Sequence, residues 1–237
     1  MRAGLCTVSA PLAACSPAAA LPPSARFLAL HLLHQQTLYF IVQAKSRVRE
    51  LYHQTCRHFA QQGMLDTDLF GLALICDGEY LFAEPDNKLS KYAPKSWRSS
   101  HSHGLDANGR PALAFYFRVQ FYVDSPLLLR DETTRRHYYL QLRLNAASGA
   151  AGEHATHLAG LSLQADLGDH NENTTFRPED YLPPNMRGPA ALRIMEAAHR
   201  THRGLSKNEA RARFIAEACQ LQEPVNAHIF RLKASKS

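Results

Sequence analysis

No uninterrupted apolar run in these 237 residues approaches the roughly 20 that a helix needs to span a bilayer, so any membrane contact is expected to be peripheral. Cysteine is sparse and unorganised. Cys6, Cys15, Cys56, Cys76 and Cys219 are odd in number and far apart, and they contain no C-x-x-C pair. That removes the sequence case for a zinc or redox motif and fits a reducing, intracellular compartment. The familiar local signatures of enzymes are also missing: there is no G-x-S-x-G elbow, P-loop, dinucleotide fingerprint or H-E-x-x-H helix. Acidic residues are absent before Glu50. This opening stretch is Ala-rich and broken by Pro11, Pro17, Pro22 and Pro23, with Arg2 and Arg26 its only cations before Lys45. It has some of the composition of an organellar transit segment, but the prolines interrupt the amphipathic helix that such a segment needs. Residues 1–25 are therefore read as a disordered tail.

What is present is enough for folded cores. Hydrophobic residues make up 45% of the chain against 20% charged, which excludes global disorder, and the length allows about two lobes. Phe27 to Leu33 and Leu38 to Gln43 read as strands of a hairpin around His34-Gln35-Gln36. Val48, Leu51, Tyr52, Thr55 and Phe59 then fall on one stripe of a helix that starts near Ser46 and ends by Gly63. A second hairpin turns at Asp77-Gly78, a dipeptide suited to a type I′ turn. From Leu113 to Val123 the residues alternate, with Leu113, Phe115, Phe117, Val119, Phe121 and Val123 on the core face. Two strands, a helix and further strands make a β-grasp, the ubiquitin-like arrangement, over residues 26–124.

After Asp124-Ser125-Pro126 the strand pattern gives way to helices. Asp131 caps a helix running towards Asn145, and Gly168 follows one that carries Leu158, Leu161 and Ala165. Pro189 opens a third. Ser206-Lys207-Asn208-Glu209 is a capping box ahead of the stripe Ala210, Phe214, Ala218 and Leu221, and Pro224 closes this fourth helix. The fold class is therefore α+β: a ubiquitin-like β-grasp followed by a four-helix bundle over 125–224 that resembles the acyl-CoA-binding proteins. That likeness leaves an acyl-CoA or lipid-binding module as an alternative function.

Chemistry has few candidates. His154-x-x-His157 and His199-x-x-His202 would each place two imidazoles on one helix face, but no third ligand follows at a predictable spacing. Cys56 reads as a half-buried structural thiol beside an apolar stripe, and Asp66, Asp68, Asp166 and Asp169 read as caps or solvated carboxylates. No catalytic residue, cofactor or metal is expected. The cations are better organised. Lys88, Lys91, Lys95 and Arg98 occupy an acid-free stretch with Tyr92 and Trp97, and a second cluster includes Arg200, Arg203, Lys207 and Arg211. Either set could attract anionic phospholipid headgroups or phosphoinositides, at about 1 kcal/mol per residue, or be an ordinary solvated face. A basic nucleic-acid-binding domain is a weaker alternative, because no RNP-type or KH-type signature accompanies the charge.

Several segments resemble the FERM family, in that family's order. Phe117-Arg118-Val119-Gln120-Phe121-Tyr122-Val123 resembles the strand that closes its first lobe. Leu127 to Arg135 and Tyr139-Leu140-Gln141-Leu142 resemble the start of its helical lobe, and Leu163 to Asp169 and His202 to Ala210 continue the series. Leu69-Phe70-Gly71-Leu72 and Lys88 to Trp97 are similar to the branch that acts in Hippo growth control, as are Cys6 to Leu12 and His103 to Pro111. The resemblance implies a non-catalytic scaffold or adaptor, cytoplasmic and peripheral at the apical plasma membrane, cell junctions and cortical cytoskeleton. It implies as partners Merlin, Kibra, the cytoplasmic tails of Crumbs-like membrane proteins and an anionic phospholipid surface, with no nucleic acid. The family's third lobe is expected to begin within residues 225–237 and to be cut short there.

Overall fold

The computed structural model describes residues 5–6, 21–99, 102–172, 174–221, 225 and 228. The chain divides into two compact units, Met1–Phe121 and Tyr122–Ser237.

The first unit is a mixed sheet with one long helix. Its strands are β1 (Leu5–Cys6), β2 (Ala25–His31), β3 (Thr37–Gln43), β4 (Phe70–Cys76), β5 (Glu79–Phe82) and β6 (Ala114–Val119), in the spatial order β1-β3-β2-β6-β4-β5. β2 and β3 form the expected hairpin, β6 runs parallel to β2 with Leu30 opposite Phe115, and β4 pairs antiparallel with both β5 and β6. This is the ubiquitin-like order. The second hairpin turns at Asp77 and Gly78, both at positive φ (51° and 84°), as a type I′ turn requires. Helix α1 (Val48–Ala60) buries Val48, Leu51, Thr55 and Phe59. The Phe59 and Phe70 rings stack on Phe117 at 4.6 and 5.0 Å, so the alternation along β6 is anchored by rings from the helix and from the neighbouring strand. Of the segment read as a disordered tail, residues 1–4 and 7–20 lie outside the described residues; Leu5 and Cys6 pair with Phe40 and Tyr39 on β3.

The alternation stops earlier than the pattern implies. Leu113, Phe115, Phe117 and Val119 are at most 3% exposed, whereas Phe121, expected on the same face, is 58% exposed. The backbone gives the reason: the N–H groups of Gln120 and Phe121 both donate to the carbonyl of Leu69, at 2.8 and 3.1 Å. Two residues facing one acceptor break the two-residue period, as in a bulge, and the side chains beyond it change face.

The stretch read only as a basic surface carries part of the core. Helix α2 (Leu89–Tyr92) and a 3-10 turn over Lys95–Arg98 bury Leu89 and Trp97 completely, and Trp97 Nε1 donates to the carbonyl of Phe27 at 2.8 Å. Arg26, 4% exposed, lies against the same segment and donates to the carbonyls of Pro23, Ala25 and Arg98.

The second unit holds α3 (Glu132–Asn145), α4 (Ala155–Leu167), α5 (Pro189–Thr201) and α6 (Lys207–Cys219). Their ends follow from capping chemistry. The Asp131 carboxylate accepts from Thr134 N–H at 2.7 Å to start α3. Ser206 and Glu209 satisfy each other's backbone N–H groups to start α6. The α6 stripe of Ala210, Phe214, Ile215 and Ala218 is wholly buried, and α4 is buried on nearly all sides from Leu158 to Ala165. Pro224 and most of residues 225–237, where a further lobe was expected to begin, lie outside the described residues. Val225 is buried and its carbonyl accepts from Asn145 Nδ2 at 2.8 Å.

Two glycines with the same backbone need should respond differently to a methyl group. Gly104 (φ +81°) and Gly109 (φ +72°) both occupy the left-handed region, but a Cβ on Gly104 would lie 2.6 Å from the Trp97 ring, whereas one on Gly109 would meet nothing within 4 Å. Gly109→Ala is expected to cost about 1 kcal/mol for conformation alone. Gly104→Ala should cost a further 1 to 3 kcal/mol or so for overpacking. Urea unfolding of the two variants side by side measures the difference.

Candidate functional site

The eight cations singled out in the sequence divide into exposed charges and structural ties. In the first unit, Lys88, Lys91 and Lys95 are exposed, with no ion pair or hydrogen bond from their side chains among the described residues. Arg98 differs: its guanidinium donates to the carbonyls of Ser90 at 2.7 Å and Ala93 at 3.5 Å, bracing the turn that buries Trp97. Tertiary pairing also brings in cations that linear spacing could not reveal. Arg47 forms an isolated antiparallel bridge with Lys88, and the N–H of Leu89 donates to Ser46 at 2.9 Å, which sets Lys45 and Arg47 beside the cluster. Two acids lie nearby: Asp86, which already accepts from Arg49 at 2.7 Å, and Glu84, whose N–H donates to the Tyr92 hydroxyl at 2.9 Å. Charge on this face is therefore held by a segment whose apolar side chains are locked into the lobe.

In the second unit, Arg200 and Arg203 are exposed at the end of α5 and in the turn after it. Lys207 Nζ donates to the carbonyl of Asp166 at 2.8 Å. Arg211 reaches the Ala165 carbonyl at 3.4 Å and Asn208 Oδ1 at 2.8 Å. Those carbonyls belong to the last turn of α4, where the helix leaves its acceptors unpaired and carries partial negative charge. Lys207 and Arg211 thus cap a neighbouring helix, a role invisible from their own segment because the acceptors lie about 40 residues away. Arg203 sits beside Asp169, whose carboxyl is held below its usual range by hydrogen bonds from Gly204 N–H and Gln164 and by that positive charge.

The carboxylates read as caps or solvated groups are also more integrated than expected. Asp166 accepts from Tyr139 at 3.1 Å and Tyr181 at 3.2 Å and pairs with Arg143, whose guanidinium lies over both tyrosine rings. Burial first, and the Asp166 charge second, push both phenols above their ordinary range, so they stay protonated donors. Neither histidine pair lies within a single α-helix: His154 sits in a 3-10 turn ahead of α4, and His202 follows α5. Among the described residues no group of three His, Cys, Asp or Glu side chains is placed to hold a metal ion. Cys56 is half-buried on α1.

The division between exposed and tied cations is measurable. Lys207→Ala and Arg211→Ala should each lower stability by roughly 0.5 to 1 kcal/mol through lost capping of α4. Lys91→Ala and Arg200→Ala should stay within about 0.5 kcal/mol of the parent. Denaturant midpoints near neutral pH distinguish the two groups.

With fold and charge in place, the chain can be compared with known proteins. Residues 30–95 match the FERM N-terminal domain and residues 124–230 match the FERM central domain. The chain is similar along its whole length to protein expanded of Drosophila melanogaster, with 46% identity over a 313-residue alignment that covers 22% of that protein. It is also 30% identical to the human tyrosine-protein phosphatase non-receptor type 13 over 86% of its own length and 8% of the phosphatase. The chain therefore spans a small part of these relatives. Among solved structures, the complex of the FERM and C-terminal domains of Drosophila Merlin matches 83% of this chain and 65% of its own, with a TM-score of 0.62 at 15% identity. The human myosin 7b C-terminal MyTH4-FERM domain, in complex with the harmonin-a PDZ3 domain, matches 84% of this chain and 42% of its own, with a TM-score of 0.58 at 17% identity. No helix among the described residues is long and apolar enough to cross a membrane. An N-terminal β-grasp and a central helical bundle, matched in sequence order over most of the chain, make this protein a member of the FERM family.

Proposed function

We propose that the chain is the ubiquitin-like and helical part of a non-catalytic adaptor that works at the apical plasma membrane and cortical cytoskeleton, upstream in Hippo growth control. The observation that carries this reading is the 46% identity with protein expanded across the whole chain, against 30% with the human tyrosine-protein phosphatase non-receptor type 13. The phosphatases share with it a stretch amounting to 8% to 11% of their length, so that likeness supports a common module and not phosphatase chemistry. Merlin, Kibra and Crumbs-like cytoplasmic tails are the expected protein partners. Anionic phospholipid is the expected surface, met by Lys88, Lys91 and Lys95 in one unit and by Arg200 and Arg203 in the other. Exposed lysines on a rigid turn suit headgroup attraction, since long-range charge needs no pocket.

Two measurements test the parts separately. As a fluorescent fusion in a polarised insect epithelium, the chain should concentrate at the apical cortex and co-precipitate Merlin; a uniform cytosolic distribution without Merlin would count against the adaptor reading. In vesicle sedimentation at physiological salt, phosphoinositide-containing vesicles should retain the protein and neutral ones should not. Replacing Lys88, Lys91 and Lys95 together with alanine should cut partitioning by about a hundredfold, at about 1 kcal/mol per cation. Equal retention on neutral vesicles removes the lipid part.

A further inference from the structure

Four histidines gather where α5 packs on α4, and two of them are inside the protein. His199 is 1% exposed and His202 3% exposed. The two helices touch at backbone distance there: a Cβ on Gly160 would lie 2.5 Å from Ala198 Cβ and 2.9 Å from the His199 nitrogen. Such an approach leaves no space for water between the two backbones at that point.

The His199 Nε2 lies 2.8 Å from the carbonyl of Gly168, the residue that ends α4. A carbonyl only accepts, so this nitrogen carries the hydrogen in the neutral ring and Nδ1 is the basic site. The His170 ring faces His199 at 5.4 Å, with Asp169 and Arg200 also nearby. The Nε2 of His202 is buried with no hydrogen-bond partner. Its ring faces His157 of α4 at 5.7 Å, with Arg213 and Glu217 of α6 and His199 around it. The two carboxylates in reach are already engaged. Asp169 accepts from Gly204 N–H and Gln164, and Glu217 accepts from His157 and Arg213, each of these bonds being 2.8 Å long.

We propose that His199 and His202 form a proton-operated latch, which holds the end of α5 against α4 while both rings are neutral and releases it when they are protonated. A proton on His199 would put a cation beside Arg200 and His170. One on His202 would bury a charge between Arg213 and His157. Burial accordingly lowers the proton affinity of both rings and neighbouring positive groups lower it further, outweighing the opposite pull of the Gly168 carbonyl and Asp169 on His199 and of Glu217 on His202. With folded-state values below the unfolded one, the released segment binds more protons. The latch is thus fully closed above the ordinary histidine pKa of about 6.5 and opens as pH falls below it. Arg200 and Arg203 lie on the segment that is freed, so their presentation becomes pH-dependent.

Hydrogen exchange of the whole chain at pH 7.5 and 5.5, corrected for intrinsic rates, tests this. Protection across residues 189–201 should fall severalfold further than in α3, because the folded state binds fewer protons there than the released segment does. In a His199→Gln, His202→Gln double variant the excess fall should vanish, because glutamine can donate to Gly168 without titrating. Equal loss in α3 and α5, or an unchanged excess in the double variant, overturns the proposal. Should that variant not fold, NMR titration of the parent decides. Both imidazoles should titrate below the ordinary value with α5 amide shifts following them, and ordinary titration or unmoved α5 amides would overturn the latch.

Discussion

The Asp166 carboxylate, near the end of α4, is the point on which the helical unit is assembled. It accepts from Tyr139 and pairs with Arg143, both on α3, and it accepts from Tyr181 in the segment that leads to α5. Its own main-chain carbonyl takes the ammonium of Lys207 at the start of α6. One residue therefore ties together three helices and a connecting segment. The arrangement is favourable because each carboxylate oxygen has a donor, the guanidinium lies over both rings and the buried phenols remain protonated, which outweighs an Arg143 Nε that is buried without a hydrogen-bond partner. In a low-dielectric interior such a network is stable while satisfied and costly when one member is lost, which favours a single packing of the bundle over looser alternatives.

That constraint was not legible in the sequence. Asp166 and Arg143 are 23 residues apart, separated by the turns after α3 and most of α4, and nothing in local spacing links them, so the carboxylate read as a cap or a solvated group. Features that rest on nearest neighbours in the chain were legible. Ser206 and Glu209 form a capping box because three residues separate them, and Asp77-Gly78 turns a hairpin because positive φ is a property of those two residues. The alternation from Leu113 to Val119 gives the core face of β6, and it fails at Phe121 because a shared acceptor, Leu69, lies in the 3-10 turn just ahead of β4. The dividing line is physical: periodicity and capping are encoded within a few residues, while bulges, networks and cross-helix caps depend on partners that only folding brings near.

The candidate surface divides in the same way. A run of lysines around Tyr92 and Trp97 is recognisable as charge, but sequence alone could not show that Trp97 is fully buried, or that Arg98 points its guanidinium into the backbone of the same turn. Nor could it show Arg47 beside Lys88, which follows from a bridge between segments 41 residues apart in the chain. In the helical unit, Lys207 and Arg211 look equivalent to Arg200 and Arg203 by composition. They differ in their acceptors, and hence in whether they are free to meet a partner.

A cation that caps a helix still carries its full charge, so the tied residues add to the electrostatic potential while being withheld from close contact. For attraction to a charged sheet this distinction matters little, because potential sums over all charges within a Debye length of about 8 Å at physiological salt. For a bonded contact to one phosphate it matters greatly, because Lys207 would have to give up the Asp166 carbonyl and Arg211 the Ala165 carbonyl before either could bind. The geometry thus favours broad, salt-sensitive attraction over a tight headgroup pocket. Under the proposed reading, a membrane-associated adaptor needs no more than that, and turns with buried apolar anchors such as Leu89 and Trp97 would hold the charges in place.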